Sequence, residues 1–230
     1  MKQKGKVYGV GVGPGDPELM TLKAVRVIRE NEVIAIPGDV PEKTKAYGIA
    51  VEAVPELKTK ELVPVSMPMI KDRAQLEQLH ETGAKQIASY LEQGRNVVFL
   101  TLGDPTIYST FSYLQRYFMD AGYEVEIVSG IPSFCAAAAR LRLPLAEWEE
   151  PIHILPALHL EESALIGDGN YVLMKSASHM GEVKNLLRNR GLAIQAVENC
   201  GMQQEVIYHS LAEIPDDAGY FSIIIAKESV

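Results

Sequence analysis

Between residues 7 and 128, short β-branched apolar runs alternate with longer stretches of helical apolar spacing, and that alternation leaves few folds open. Residues 7–13, 33–36, 62–65, 97–100 and 125–128 read as strands; Val97-Val98-Phe99-Leu100 is apolar without a break, as in a strand covered on both faces. After the first strand, Asp16-Pro17-Glu18 supplies a cap, a first-turn proline and an early acid, and Leu19, Leu22, Val25 and Ile28 continue at helical spacing to residue 30. Further helices are predicted over 73–93, stopped by Gly94, and over 106–119. The stretch 37–60, with Pro-Gly-Asp and several lysines, reads as a mobile loop. Strand and helix in turn predict a parallel sheet with helices on both faces.

Beyond Gly130 the pattern changes. A helix over 133–142 is followed by short strands at 152–155, 171–174, 194–197, 206–208 and 221–226, and only 160–166 and 179–190 look helical between them. The expected architecture is therefore α/β with two domains: 1–128 with a parallel sheet and 129–230 with a mixed sheet. With 230 residues and 47% apolar composition the chain can bury a core in each. The net charge of −8, without a lysine and arginine block, argues against nucleic acid or an anionic membrane. No apolar stretch has spanning length and no signal-peptide core precedes the first strand, so the expected compartment is the cytoplasm. Cys135 and Cys200 read as reduced thiols, Cys135 within a buried helix. No histidine stands at metal-ligand spacing, and no protein-bound metal is expected.

Two glycine-rich turns follow strands of the first half: Gly9-Val10-Gly11-Val12-Gly13-Pro14-Gly15-Asp16 and Leu102-Gly103-Asp104-Pro105. Ligands of parallel sheets sit at the carboxyl ends of strands, where both turns fall. Neither turn is a phosphate loop, which would carry Gly-Lys-Ser/Thr where this chain has Gly-Asp-Pro. Nor is the dinucleotide spacing Gly-x-Gly-x-x-Gly present, because Pro14 follows Gly13. Paired carboxylates would repel a pyrophosphate and attract an ammonium or sulfonium group, and S-adenosylmethionine carries both. A plain tight turn, with glycines serving geometry alone, stands beside that reading.

Three ordered segments sharpen the choice. Gly11-Val12-Gly13-Pro14-Gly15-Asp16-Pro17-Glu18-Leu19-Met20-Thr21, Gly103-Asp104-Pro105-Thr106-Ile107-Tyr108 and Ser129-Gly130-Ile131-Pro132-Ser133-Phe134 resemble the successive signatures of the tetrapyrrole methylases, a family using S-adenosylmethionine on corrin and sirohaem precursors. The likeness runs from about Lys6 to Lys227, with 171–175 and 197–205 matching strand ends of the family's second domain. Within the family, the segment from Leu102 to Leu114 together with Ser133-Phe134-Cys135-Ala136-Ala137-Ala138-Ala139 resembles the branch that methylates carbon 20 of precorrin-2 or its cobalt form. The usual Pro-Gly-Ile is Ser129-Gly130-Ile131 here, and Pro132 removes one amide donor.

The resemblance implies a cofactor cleft between the domains, touched by Pro14, Leu102, Gly103, Asp104, Ile107, Tyr108, Ser133 and Phe134, with Lys175 and Cys200 as further backbone contacts. It implies a homodimer acting on a small-molecule tetrapyrrole. Asp104 and Tyr108 are the catalytic candidates: Asp104 to orient the cofactor electrostatically, with proton removal from carbon 20 as the second role, and Tyr108 one turn along the same helix. The polyanionic macrocycle needs a basic rim, for which Lys43, Lys45, Arg73, His153, His159 and Lys175 are candidates. Alternatives are a relative acting on another ring carbon or in the diphthamide pathway, a nicotinamide-dependent oxidoreductase, for which Asp39 is the one acidic candidate, and an adenosine-ligand sensor.

Overall fold

The apolar runs of the first half pair side by side. A computed structural model describes residues 3–68, 70, 72–161, 163, 165, 167–176, 179–188 and 190–228. The chain divides into two compact units, 1–132 and 133–230.

In the first unit, β1 (Lys6–Gly11), β2 (Val33–Pro37), β3 (Glu61–Val65), β4 (Val97–Thr101) and β5 (Glu124–Val128) form a parallel sheet in the order β3-β2-β4-β1-β5. The unbroken apolar run of β4 is buried throughout, as a strand with both faces covered must be. Alternate side chains serve opposite faces: Val10, Ile34, Val98 and Leu100 pack against α1 (Leu22–Glu30) and α2 (Lys45–Ala53). Val7, Val33, Val97 and Phe99 pack against α3 (Arg73–Glu92) and α4 (Phe111–Asp120). From β1 the chain crosses by α1 to β2 on one side; from β4 it crosses by α4 to β5 on the other. The two connections leave the adjacent strands β1 and β4 toward opposite faces of the sheet, and ligands of such sheets sit at the carboxyl ends of the strands. A dinucleotide-binding sheet has its first strand next to the second; inserting β4 between them removes the oxidoreductase arrangement.

In the first unit three expectations need correction. The stretch 37–60 is not a loop: α2 lies between short 3-10 turns at Pro41–Lys43 and Pro55–Thr59, and it buries Ala46, Tyr47, Ile49 and Ala50, followed by Val54 and Leu57. Its apolar repeat is interrupted by Gly48 and flanked by lysines, so burial against the sheet outweighs weak local propensity. The helix expected over 17–30 is broken, because Thr21 supplies a second cap, its Oγ accepting from the Ala24 N–H at 3.1 Å. The helix expected from residue 106 starts only at Phe111, since Tyr108 has φ +48° and the Ser109 Oγ accepts from the Phe111 N–H at 3.1 Å.

The second unit contains α5 (Ser133–Leu141), β6 (Ile152–Pro156), β7 (Asn170–Met174), α6 (Met180–Leu187), β8 (Leu192–Glu198), β9 (Val206–Tyr208) and β10 (Ser222–Glu228). Its mixed sheet has the order β6-β7-β10-β8-β9, in which only β6 and β7 run parallel. Met180, Val183 and Leu187 of α6 pack on Tyr171, Leu173, Ile224 and Ala196, and α5 packs against β8 and β10. Cys135 is exposed on α5, not buried as expected, while Cys200 is buried. The expected helix over 160–166 falls partly outside the described residues. Among the described residues, no helix is long and apolar enough to cross a membrane, and no three His, Cys, Asp or Glu side chains gather as metal ligands.

Candidate active site

The three signature segments of the first unit each leave the carboxyl end of a strand, and those strands, β4, β1 and β5, are neighbours. Their loops touch backbone to backbone. Val12 N–H donates to the Thr101 carbonyl at 2.9 Å, Gly103 N–H to the Gly13 carbonyl at 2.8 Å, and Gly13 N–H to the Gly103 carbonyl at 3.3 Å. Gly13 and Gly103 have φ of +77° and +73°, the left-handed region that glycine enters without a Cβ penalty. Gly11 and Gly130 are required for a different reason, which is space. A Cβ on Gly11 would stand 2.5 Å from the Gly103 carbonyl oxygen and 2.6 Å from the Gly130 nitrogen, and one on Gly130 would collide with that same oxygen. By contrast, a Cβ on Gly103 would meet nothing nearer than the Ile131 oxygen at 3.9 Å, so one side of this backbone is open to a ligand.

Both Asp-Pro pairs use the same local device. The Asp16 Oδ1 accepts from the Glu18 N–H at 2.8 Å, and the Asp104 Oδ1 accepts from the Thr106 N–H at 2.7 Å and the Thr106 hydroxyl at 2.5 Å. Asp104 goes further, because its Oδ2 accepts from the Gly130 N–H at 2.9 Å. Its carboxylate is buried, at 7% exposure, and both oxygens are held by the chain itself. Asp104 thus ties the loop after β4 to the loop after β5. Proton removal by Asp104 would require one of these bonds to open. The Thr21 hydroxyl adds a tie of the same kind, donating to the Ser129 carbonyl at 3.3 Å.

Pro14 and Gly103 are buried at this junction, and Leu102 and Ile107 are half-buried beside it. Tyr108 is 44% exposed and precedes α4, so it is not a turn along a shared helix. A bulky residue at φ +48° is costly, by roughly 1–2 kcal/mol, and such a conformation persists only where the surrounding structure fixes it.

Residues 6–215 match the family model for Tetrapyrrole (Corrin/Porphyrin) Methylases. The chain belongs to that family. It is similar to a protein of Methanocaldococcus jannaschii named as a probable cobalt-precorrin-2 C(20)-methyltransferase, 36% identical with 96% of each chain covered. It is also similar to a precorrin-2 C(20)-methyltransferase of a Sinorhizobium species, 29% identical over 96% of this chain and 94% of that one. In three dimensions it resembles the uroporphyrin-III C-methyltransferase of Thermus thermophilus solved with S-adenosylhomocysteine, with a TM-score of 0.68, 22% identity, and 97% and 98% of the two chains covered.

In the second unit of this methylase, Ser133 opens α5 half-buried and Phe134 is buried. Lys175 follows β7 with φ +61°, and burial pushes its pKa below the ordinary lysine value. Cys200 follows β8 and is buried. Because β10 runs antiparallel between β7 and β8, with Ile223 opposite Met174 and Ser222 opposite Glu198, both residues leave the same edge of that sheet. Of the rim candidates, Lys43 and Arg73 are exposed, Lys45 opens α2, and the His153 ring stacks on Tyr171 at 4.8 Å. His159 ends the 3-10 turn Ala157–His159, and its side chain lies outside the described part of the structure. His80 is buried in the first unit and stacks on Tyr113 at 4.6 Å.

Sequence reasoning missed the partners of Asp104. The Asp-Pro-Thr spacing carries half the signal, since an aspartate caps the amide two residues on. The Gly130 half joins segments twenty-six residues apart and has no local trace.

Proposed function

We infer that this protein transfers the methyl group of S-adenosylmethionine to carbon 20 of precorrin-2 or its cobalt form, on the route to cobalamin. What carries the reading is full-length likeness to relatives named for that position, on a chain whose three signature loops meet at the ends of adjacent strands. The junction suits the donor: open backbone at Gly103 offers close approach, and Asp104 brings a carboxylate into the junction.

The donor supplies a methyl group on cationic sulfur, displaced in line by the acceptor carbon. Positive charge disperses as the methyl moves, so the chain gains most by holding both reactants aligned and away from water. Pro14, Leu102, Gly103 and Ile107 hold the donor by backbone and apolar contact. Asp104 keeps their loops in register. By the family resemblance Ser133, Phe134, Lys175 and Cys200 are further donor contacts, and the active form is a cytoplasmic homodimer.

Tyr108 presents its ring to the acceptor. Tyr108→Leu is expected to lower kcat/KM for the tetrapyrrole about tenfold, the value of one aromatic contact, without changing affinity for S-adenosylhomocysteine. Equal kcat/KM would make Tyr108 a packing residue. The function itself is tested by incubation with precorrin-2, with and without cobalt, and [methyl-13C]S-adenosylmethionine: one labelled methyl on carbon 20 is expected. Label on another ring carbon, or no transfer to either acceptor, would overturn the assignment.

A further inference from the structure

The turn after β8 in the second unit is held in a left-handed form by a carboxylate that the proposed chemistry does not use. Asn199 and Gly201 have φ of +52° and +74°, two left-handed residues flanking the buried Cys200. Met202 N–H donates to the Asn199 carbonyl at 2.9 Å, and Asn199 N–H to the Phe221 carbonyl at 3.2 Å, which closes the turn beside the start of β10. Glu205 then reaches back. Its Oε2 accepts from the Gly201 N–H at 2.7 Å, while its Oε1 accepts from the Arg140 Nε at 2.8 Å and also from the Arg140 Nη2.

The Glu205 side chain is only 12% exposed. Burial alone would raise its pKa, but the bonds from Arg140 and the Gly201 N–H outweigh burial and keep the carboxyl below its usual range. Taking the Glu205 carboxylate out of water is costly, and that cost is offset because the Gly201 N–H and the exposed Arg140 guanidinium fix one of its oxygens each. Arg140 lies near the end of α5, the helix that opens with Ser133 and Phe134. One ion pair therefore joins the segment carrying Cys200 to the helix carrying two more proposed donor contacts. At the same sheet edge, the hydroxyls of Ser176 and Ser222 are fully buried without a hydrogen-bond partner among the described residues, which is uncommon in a finished core.

We propose that Glu205 is a positioning residue for the methyl donor: it holds the Cys200–Gly201 turn in the conformation that offers its backbone to S-adenosylmethionine, and Arg140 fixes the carboxylate that does so. This rests on the functional reading above. In Glu205→Gln the side chain retains an acceptor for one partner and turns its amide against the other donor. The variant is expected to raise the Kd for S-adenosylhomocysteine and the KM for S-adenosylmethionine about tenfold, with kcat at saturating donor within about twofold of the parent. Arg140→Ala, which leaves the Gly201 bond in place but frees the carboxylate to move, is expected to give about a threefold rise in both. That variant decides the matter should Glu205→Gln not fold. Calorimetry and initial rates read these values. Unchanged Kd and KM, or a fall in kcat with KM unchanged, in whichever variant folds overturns the positioning role. Failure of the parent protein to bind S-adenosylhomocysteine overturns the functional reading instead.

Discussion

Gly130→Ala is expected to weaken S-adenosylhomocysteine binding at least a hundredfold and to lower stability by about 3 kcal/mol. The new Cβ would collide with the Gly103 carbonyl oxygen and stand 2.9 Å from the Gly11 Cα, and neither neighbour is a side chain that can swing aside. Room can come only from separating the loops after β1, β4 and β5, the arrangement on which the proposed donor site depends. Gly48→Ala is the matched control. Its Cβ meets nothing within 4 Å in α2, so it is expected to stabilise the protein by about 0.5–1 kcal/mol and leave binding unchanged. Thermal melting and calorimetry on the two variants separate crowding at the junction from a general cost of adding a methyl group. Parent-like binding and melting in Gly130→Ala would show that the junction yields without consequence.

Asp104→Asn distinguishes a clamp from a base. The asparagine oxygen still accepts from the Thr106 N–H and hydroxyl, but its amide then faces the Gly130 N–H, donor against donor in a buried site. Losing a buried charged bond and stranding that N–H is expected to cost about 2–3 kcal/mol, and the loosened loops raise the Kd for S-adenosylhomocysteine about tenfold or more. Turnover at saturating donor should stay within about tenfold of the parent, since the carboxylate holds loops rather than moving a proton. The opposite pattern, intact donor binding with turnover lost, would make Asp104 the base at carbon 20.

Much of this was readable from the chain before its structure. The first sheet follows from apolar runs such as 97–100 alternating with helical spacing, because covering both faces of a parallel strand leaves no polar position in it. The glycine segments were legible as tight turns at strand ends because left-handed backbone at Gly13 and Gly103 and crowded backbone at Gly11 and Gly130 favour glycine. Three features were hidden for physical reasons. Helix α2 has little local propensity and is made by burial of Tyr47, Ile49 and Ala50 against the sheet. Tyr108 breaks the helical pattern in a conformation its residue type disfavours, so propensity pointed the wrong way. The two aspartates read as charges awaiting a ligand, whereas their oxygens accept from Glu18, Thr106 and Gly130. An exposed carboxylate and one capping a distant amide look alike in a sequence, because the difference lies in a contact between segments that only folding brings together.

The most direct test is a crystal structure of the protein with S-adenosylhomocysteine. The product sulfur is expected within about 4 Å of the Leu102–Gly103 backbone, with Pro14 beside it and the Asp104 bond to Gly130 intact. Product seated away from the three loops, with the backbone at Gly103 bare, would contradict the account.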